Sequence, residues 1–112
     1  MKRIFLALLG CSICSYAFAS STVTGTVTHV RVDETGHGMV TFSAIISGSP
    51  SCINVAYNNT YAFDGTTAGG KNFLALVLAS QATGTPITAF GLGTCSIYGA
   101  GVLEDVYYGV NG

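Results

Sequence analysis

The sequence has very few charged side chains, with 4 Lys and Arg together and 5 Asp and Glu among 112 residues. Disordered chains are rich in charge and poor in aromatics, whereas this chain is 11% aromatic and 49% hydrophobic. Extensive disorder is therefore excluded. The basic patch that neutralises phosphates is also missing, which excludes nucleic acid as a partner. The sequence contains no repeats, linkers or low-complexity runs, and its length suits one small domain.

The first nineteen residues have the pattern of an export signal. Residues 2–3 are basic, residues 4–10 are apolar, and Ala17-Phe18-Ala19 is an A-x-A cleavage site. The apolar run is shorter than the about 20 residues of a membrane span. We therefore predict a secreted or periplasmic protein that is not transmembrane, cleaved near Ala19. Two alternatives stay open, namely a buried N-terminal strand and a lipoprotein anchored through Cys11.

Removal of residues 1–19 leaves a single predicted domain of 93 residues, 20–112. Its only cations are Arg31 and Lys71, which stand against five acids and leave a net charge of −3. A surface with so little charge resists precipitation poorly unless part of it is buried against another subunit. This composition favours a homo-oligomer.

The domain keeps two cysteines, Cys52 and Cys95, because Cys11 and Cys14 leave with the signal. Two cysteines in an exported domain most often form a disulfide, and we predict one here. It would contribute roughly 4 kcal/mol by restricting the unfolded chain. The alternative is a reactive thiol or metal ligand, but neither cysteine belongs to a C-x-x-C or has a neighbouring His.

Hydrophobic periodicity predicts a mainly β fold with one helix, in the order β-β-β-α-β-β. Along residues 22–32 the apolar positions change face midway, which predicts a bulge or sharp bend. This order is that of an OB-fold, a five-stranded closed barrel with a helix after the third strand. The predicted strands are 22–32, 39–46, 53–57 resuming at 61–63, 85–92 and 102–110, and the predicted helix is 66–82.

The predicted helix is apolar nearly all round, which is typical of a helix buried on more than one side. Its start is capped by Asp64, Thr66 or Thr67, and Gly84 ends it. One side lies on the sheet of the same domain. The other either fills the core or faces a neighbouring subunit, and these two alternatives stay open. The candidate residues for a subunit interface are Lys71, Leu74 and Leu78.

Five segments follow a known order and spacing. They are Cys52, Tyr61-Ala62-Phe63-Asp64, Gly70-Lys71, Ala82-Thr83-Gly84-Thr85-Pro86-Ile87 and Gly93-Thr94-Cys95. In these segments the chain resembles the B subunits of subtilase-type AB5 toxins, and more closely the small secreted bacterial proteins related to them. The resemblance implies an OB-fold, a ring-shaped homopentamer with helices around a central pore, and glycan binding on the outer surface. An A-type subunit is a further partner implied for such rings, although this chain does not contain one.

The candidate ligand-binding residues come from two sources. The resemblance places Thr24 near the small hydroxyl residue that contacts sialic acid in the toxin subunit. It also makes Phe90 the remaining part of an aromatic pair. Tyrosine is plentiful, and a ring with a hydroxyl suits sugar recognition. Of the five tyrosines Tyr57, Tyr61, Tyr98, Tyr107 and Tyr108, we take Tyr57 and Tyr61 as candidates. Packing of these two tyrosines within the strands is the alternative.

Motifs for catalysis are missing. The spacing of His29 and His37 matches no metal-ligand pattern. Glu104 and Asp105 point to opposite faces of a strand, so they do not form a glycosidase pair. There is no G-x-S-x-G. We therefore predict no catalytic residues, no metal and no cofactor.

The functional expectation is a secreted binding module, homo-oligomeric and with a pentamer favoured, that recognises glycans. The alternative is a periplasmic or surface structural protein whose function is self-assembly. A small enzyme is the third reading, and nothing in the sequence favours it.

Overall fold

The computed structural model describes residues 21–111. The predicted signal, its cleavage site and the lipoprotein alternative at Cys11 lie outside these residues. The described part is mainly β with one helix, which confirms the fold class at that level. In chain order the elements are β1 (Thr22–Gly25), β2 (Val27–Val32), β3 (His37–Phe42), a 3-10 helix (Val55–Tyr57), β4 (Thr60–Asp64), α1 (Ala68–Thr83), β5 (Ile87–Gly91) and β6 (Glu104–Asn111).

The six strands form one mixed sheet in the order β1-β5-β6-β4-β3-β2. The pair β4 and β6 is parallel and the other neighbours are antiparallel. The prediction of a closed five-stranded barrel is therefore corrected, because the sheet is open and has six strands. The extra strand arises because the predicted first strand is divided into β1 and β2.

The division falls at Thr26, where the chain turns from one strand into the next. The Thr26 N–H donates to Ser43 Oγ at 3.0 Å, and the Thr26 carbonyl accepts from Ser43 N at 2.9 Å. A register shift between Val27 and His29 follows. The predicted change of buried face holds in part, since Val23 and Val27 are buried and Val30 packs partly against the core, whereas Val32 is 54% exposed.

Residues 53–57 were predicted as a strand, and this is wrong for residues 55–57. Asn54 caps the 3-10 helix there by accepting a hydrogen bond from Ala56 N at 2.9 Å. Asn side chains compete with a sheet ladder in this way for nearby backbone N–H groups. Ile53 still makes an isolated parallel bridge with Val102, and the regular strand starts at Thr60.

The helix starts at its N-cap Thr67, whose Oγ1 accepts from Gly70 N at 2.9 Å, and ends at Gly84 in the left-handed region with φ 72°. Only Phe73, Val77 and Ser80 of the helix are buried. The core around them comes from both ends of the sheet. Its main members are Val23, Val27, Val40, Phe42, Tyr61, Phe63, Ile87 and Ala89.

Candidate functional site

A bulge in β6 places two neighbouring tyrosines on one side of the sheet. Phe90 pairs with Tyr108, but the next residue, Gly91, pairs with Val106, so Tyr107 is the extra residue. Successive side chains of a regular strand point to opposite faces, whereas an extra residue re-aims the side chain next to it. The rings of Tyr107 and Tyr108 accordingly lie 5.1 Å apart, edge to face. Both rings are exposed, at 64% and 46%.

The outer face of β1, β5 and β6 carries these rings together with threonines. Thr22, Phe90 and Tyr108 form one cross-strand row, and Thr24, Thr88 and Val110 form the next. The opposite side of the same strands is buried. We name the outer surface the aromatic face; its members are Thr22, Thr24, Thr88, Phe90, Tyr107 and Tyr108.

The aromatic face combines a stacked ring pair with hydroxyl groups. Phe90 and Tyr108 lie 4.7 Å apart between centroids and are inclined by 21°. Thr24 Oγ1 and Thr88 Oγ1 are hydrogen-bonded at 2.8 Å. An exposed ring offers an apolar stacking surface, and hydroxyl groups offer both donors and acceptors. This combination suits a ligand that has a ring with apolar C–H bonds and polar hydroxyls.

A buried carboxylate links the residue before β1, the loop after β5 and the start of β6. Glu104 Oε1 accepts from Ser21 Oγ at 2.6 Å, and its Oε2 accepts from Gly93 N at 2.8 Å. Tyr61 Oη donates to Ser21 Oγ at 2.6 Å, since the single hydroxyl hydrogen of Ser21 goes to Glu104. Burial raises the pKa of Glu104 above its usual value, although these hydrogen bonds oppose the change. Burial likewise raises the pKa of Tyr61.

Gly91 is needed where β5 crosses Glu104. A Cβ at position 91 would lie 2.0 Å from Glu104 Oε2 and 2.2 Å from Ser21 Oγ. A side chain at position 91 would therefore require Glu104 and Ser21 to move. The register of β5 and β6 shifts at Gly91, beside the bulge at Tyr107.

The neighbouring acid, Asp105, has a different environment. It accepts hydrogen bonds from Thr94 Oγ1, Ser96 N, Ser96 Oγ and Ile97 N at 2.6–2.9 Å. Burial alone would raise the pKa of Asp105, but the bonds from Ser96, Ile97 and Thr94 outweigh it and lower the pKa. Asp105 thus holds the loop before β6 in place. The two adjacent acids bond to different partners, as their opposite faces predicted.

A second polar cluster lies at the β2–β3 hairpin. Arg31 Nε donates to Asp33 Oδ1 at 2.7 Å, and Tyr98 Oη donates to Asp33 Oδ2. The hydrogen bond from Tyr98, followed by that from Arg31, lowers the pKa of Asp33. Burial and Asp33 raise the pKa of Tyr98 to about 12. The ring of His37 meets that of Tyr98 edge-on at 6.1 Å. This cluster holds the loop between β5 and β6 against the β2–β3 hairpin. Both carboxylate oxygens of Asp33 already accept hydrogen bonds.

The structure brings some of the predicted site residues together and separates others. Thr24 and Phe90 lie on the aromatic face. Tyr57 is half-buried in the 3-10 helix, outside the strands of that face. For Tyr61 the expectation is corrected, because its ring has no exposed surface and an outside ligand cannot reach it.

The helix residues predicted for an interface lie at spacings of three and four. Lys71 is exposed, Leu78 is 47% exposed and Leu74 is half-buried against the core. The predicted disulfide between Cys52 and Cys95 is confirmed, with the two Cα atoms 6.1 Å apart.

Sequence reasoning counted Tyr107 and Tyr108 among the tyrosines that suit sugar recognition, but it did not choose them as candidate site residues. The two residues are adjacent in the last strand, and the alternation of a regular strand predicts one ring on each face of the sheet. Only the bulge places both rings on the same side. Within residues 21–111 no group of three His, Cys, Asp or Glu side chains is arranged to hold a metal ion. No helix in this described part is long and apolar enough to cross a membrane.

No protein-family model matches this chain, and no curated protein or solved structure is significantly similar to it.

Proposed function

We propose that the protein is an exported binding module that recognises a glycan through the aromatic face and acts as a homo-oligomer. The observation that carries the proposal is the stacked pair of half-buried Phe90 and exposed Tyr108 beside the hydroxyls of Thr24 and Thr88. Sugars present C–H faces that stack on such rings and hydroxyls that bond to such groups. The predicted export signal and the disulfide agree with a location outside the cytoplasm.

An OB-like curvature of the open six-stranded sheet is part of the proposal. β1 and β2 stand at the two ends of the sheet order but follow each other in the chain, separated only by Thr26. The free edge of β1 also exchanges backbone hydrogen bonds with the continuation of β3, between Thr22 and Ser47, at 3.0 Å in both directions. These contacts support a sheet that curls round towards closure, as small barrels do.

The homo-oligomer is supported by the outer side of α1. Leu78 is 47% exposed and is flanked by exposed Ala75, Ala79 and Ala82. An apolar helix surface of this kind is typical of a contact between subunits. The proposal follows the resemblance to toxin B subunits in favouring a pentamer, and an A-type subunit remains a further partner to be sought.

A glycan array with three forms of the oxidised protein tests the binding proposal. The wild type is expected to bind a restricted set of glycans, and Tyr108→Ala to lose at least about ten-fold in affinity, because stacking on an exposed ring is removed. Tyr57→Ala is the matched control, since Tyr57 is a half-buried tyrosine outside the aromatic face. A wild-type protein that binds no glycan would overturn the proposal.

Native mass spectrometry tests the oligomer separately. A pentamer is the expected species, and Leu78→Lys is expected to shift the population towards monomer. An assembly that binds no glycan would instead favour the structural, self-assembling alternative.

A further inference from the structure

A groove of about 400 Å³ opens beside the aromatic face. Its walls come from the end of β4, the first turns of α1, the loop after β5 and the start of β6. Two of the lining side chains are well exposed, Tyr107 at 64% and Leu92 at 51%. The apolar members of the lining are Phe63, Phe73, Leu92, Ile97, Val106 and Tyr107.

The polar side chains of the groove other than Tyr107 already make hydrogen bonds within the protein, Asp64 through its Oδ1 oxygen. Asp64 accepts from Thr66, and Thr67 bonds both to the Asp64 carbonyl and to Gly70 N. Ser96 donates its hydroxyl to Asp105, which accepts four hydrogen bonds in all. A hydroxyl-rich sugar ring would find few free partners here. The chemistry of the groove therefore suits an apolar group.

Tyr107 belongs to both surfaces, since it lines the groove and its ring contacts that of Tyr108. The three rings form a continuous row that leads from the stacked pair to the groove. The centroids of Phe90 and Tyr108 are 4.7 Å apart, and those of Tyr108 and Tyr107 are 5.1 Å apart. Two directly linked groups of one small ligand span such distances. A single molecule therefore reaches both surfaces.

We propose that the ligand is a glycoside with an apolar aglycone, whose sugar stacks on the aromatic face while the aglycone lies in the groove. This inference rests on the proposed glycan-binding function and names the class of ligand for that site. Removing one methylene from water strengthens binding by about four-fold. An alkyl glycoside is therefore expected to bind far more tightly than the methyl glycoside of the same sugar.

The test uses methyl and octyl β-glycosides of glucose, galactose and N-acetylglucosamine, below the concentration at which the octyl forms make micelles. Binding to the oxidised protein is followed by NMR of side-chain methyl groups. Thr24 and Thr88 report on the aromatic face, and Leu92, Ile97 and Val106 report on the groove. At least one octyl glycoside, which has seven more methylenes, is expected to bind at least about ten-fold more tightly than its methyl counterpart and to shift both sets of signals.

A variant that fills the groove completes the test. A Cβ at Gly69 meets nothing within 4 Å, and Gly69 lines the groove, so Gly69→Leu is expected to occupy the space without disturbing the helix. This variant should reduce the octyl advantage to about two-fold or less while leaving the methyl glycoside unaffected. Ala56→Leu, at an exposed position of the 3-10 helix outside the groove and the aromatic face, is the matched control.

Three outcomes would overturn the inference, and they separate it from the proposed function. Equal binding of octyl and methyl glycosides, with shifts only at Thr24 and Thr88, would show that the groove does not bind the aglycone but would leave the glycan site in place. If the octyl glycosides shift only the groove signals and bind equally whichever sugar they carry, neither a ligand that spans both surfaces nor a glycan site on the aromatic face is present. An octyl advantage that survives Gly69→Leu would place the aglycone elsewhere.

Discussion

At the scale of single residues, two adjacent buried carboxylates respond to burial in opposite ways. Glu104 is 1% exposed and Asp105 is 2% exposed. Asp105 accepts four hydrogen bonds, two of them from backbone N–H groups, and these favour the charged form. Glu104 accepts two, and burial prevails. The number and kind of donors around each carboxylate therefore decide the sign of the shift.

The two acids should give opposite dependences of stability on pH. The pKa of folded Asp105 lies below its unfolded value near 3.8, so its contribution is present at neutral pH and is lost as the pH falls through the folded pKa. The pKa of folded Glu104 lies above its unfolded value near 4.5. Its contribution is complete below that value and is lost as the pH rises through the folded pKa.

Urea unfolding of Asp105→Asn and Glu104→Gln at about pH 3 and about pH 7 tests this difference. Asp105→Asn should cost about 2 kcal/mol at neutral pH, because bonds to a charged acceptor are lost, and less at low pH. Glu104→Gln should become more stable relative to the wild type as the pH rises. Glu34→Gln, at an exposed position, is the control. Parallel pH trends in the two variants would contradict the assignment.

At the scale of elements, α1 begins with two glycines whose surroundings differ sharply. A Cβ at Gly69 would meet no atom within 4 Å, whereas a Cβ at Gly70 would lie 1.6 Å from the Asp64 carbonyl oxygen. Gly70 is thus required by the tight passage from β4 into the helix. Gly69 has no such constraint, and it leaves open the groove beside Tyr107.

Alanine at these two positions should act in opposite directions. Gly69→Ala should stabilise the protein by up to about 1 kcal/mol, since alanine is the better helix former. Gly70→Ala should destabilise it by about 2 kcal/mol or more, because the backbone of β4 or α1 has to shift. Thermal unfolding of the two variants beside the wild type measures both effects. Equal effects of the same sign would refute the close approach at Gly70.

At the scale of the whole molecule, the disulfide joins two segments that lack regular secondary structure. Cys52 precedes the 3-10 helix, and Cys95 lies in the loop between β5 and β6. This loop also contains the donors to Asp105 and lines the groove. The bond thereby restricts the unfolded chain and holds one wall of the proposed ligand site.

The double variant Cys52→Ser with Cys95→Ser should lose roughly 4 kcal/mol of stability, the value expected for a closed loop of this length. Denaturant unfolding of the variant and of the oxidised wild type measures the loss. The reduced wild type is the matched control and should resemble the variant. A loss below about 1 kcal/mol would mean that the unfolded chain is already constrained by residual structure.

Much of the fold was predictable from local patterns, but the site was predictable only in part. The cap at Thr67, the end of the helix at Gly84 and the change of face near Thr26 each depend on a few neighbouring residues. Thr24 and Phe90, which the resemblance named as candidate ligand-binding residues, lie on the same face of β1 and β5, and ligand binding by them stays a prediction. Tyr61 was misjudged because a tyrosine alternating in a strand does not reveal that both sides of that strand are covered.

The sequence by itself determined the low charge, the pairing of Cys52 with Cys95, the single helix and the sheet-forming segments, since these follow from composition and short-range periodicity. Only the tertiary structure decided that six strands form an open sheet with β1 and β2 at its two ends. It also decided that Tyr107 and Tyr108 share one side. The physical reason is that these placements depend on contacts between segments far apart in the chain, such as the hydrogen bond from Gly91 N to the Ser21 carbonyl, and no pattern within β6 encodes them.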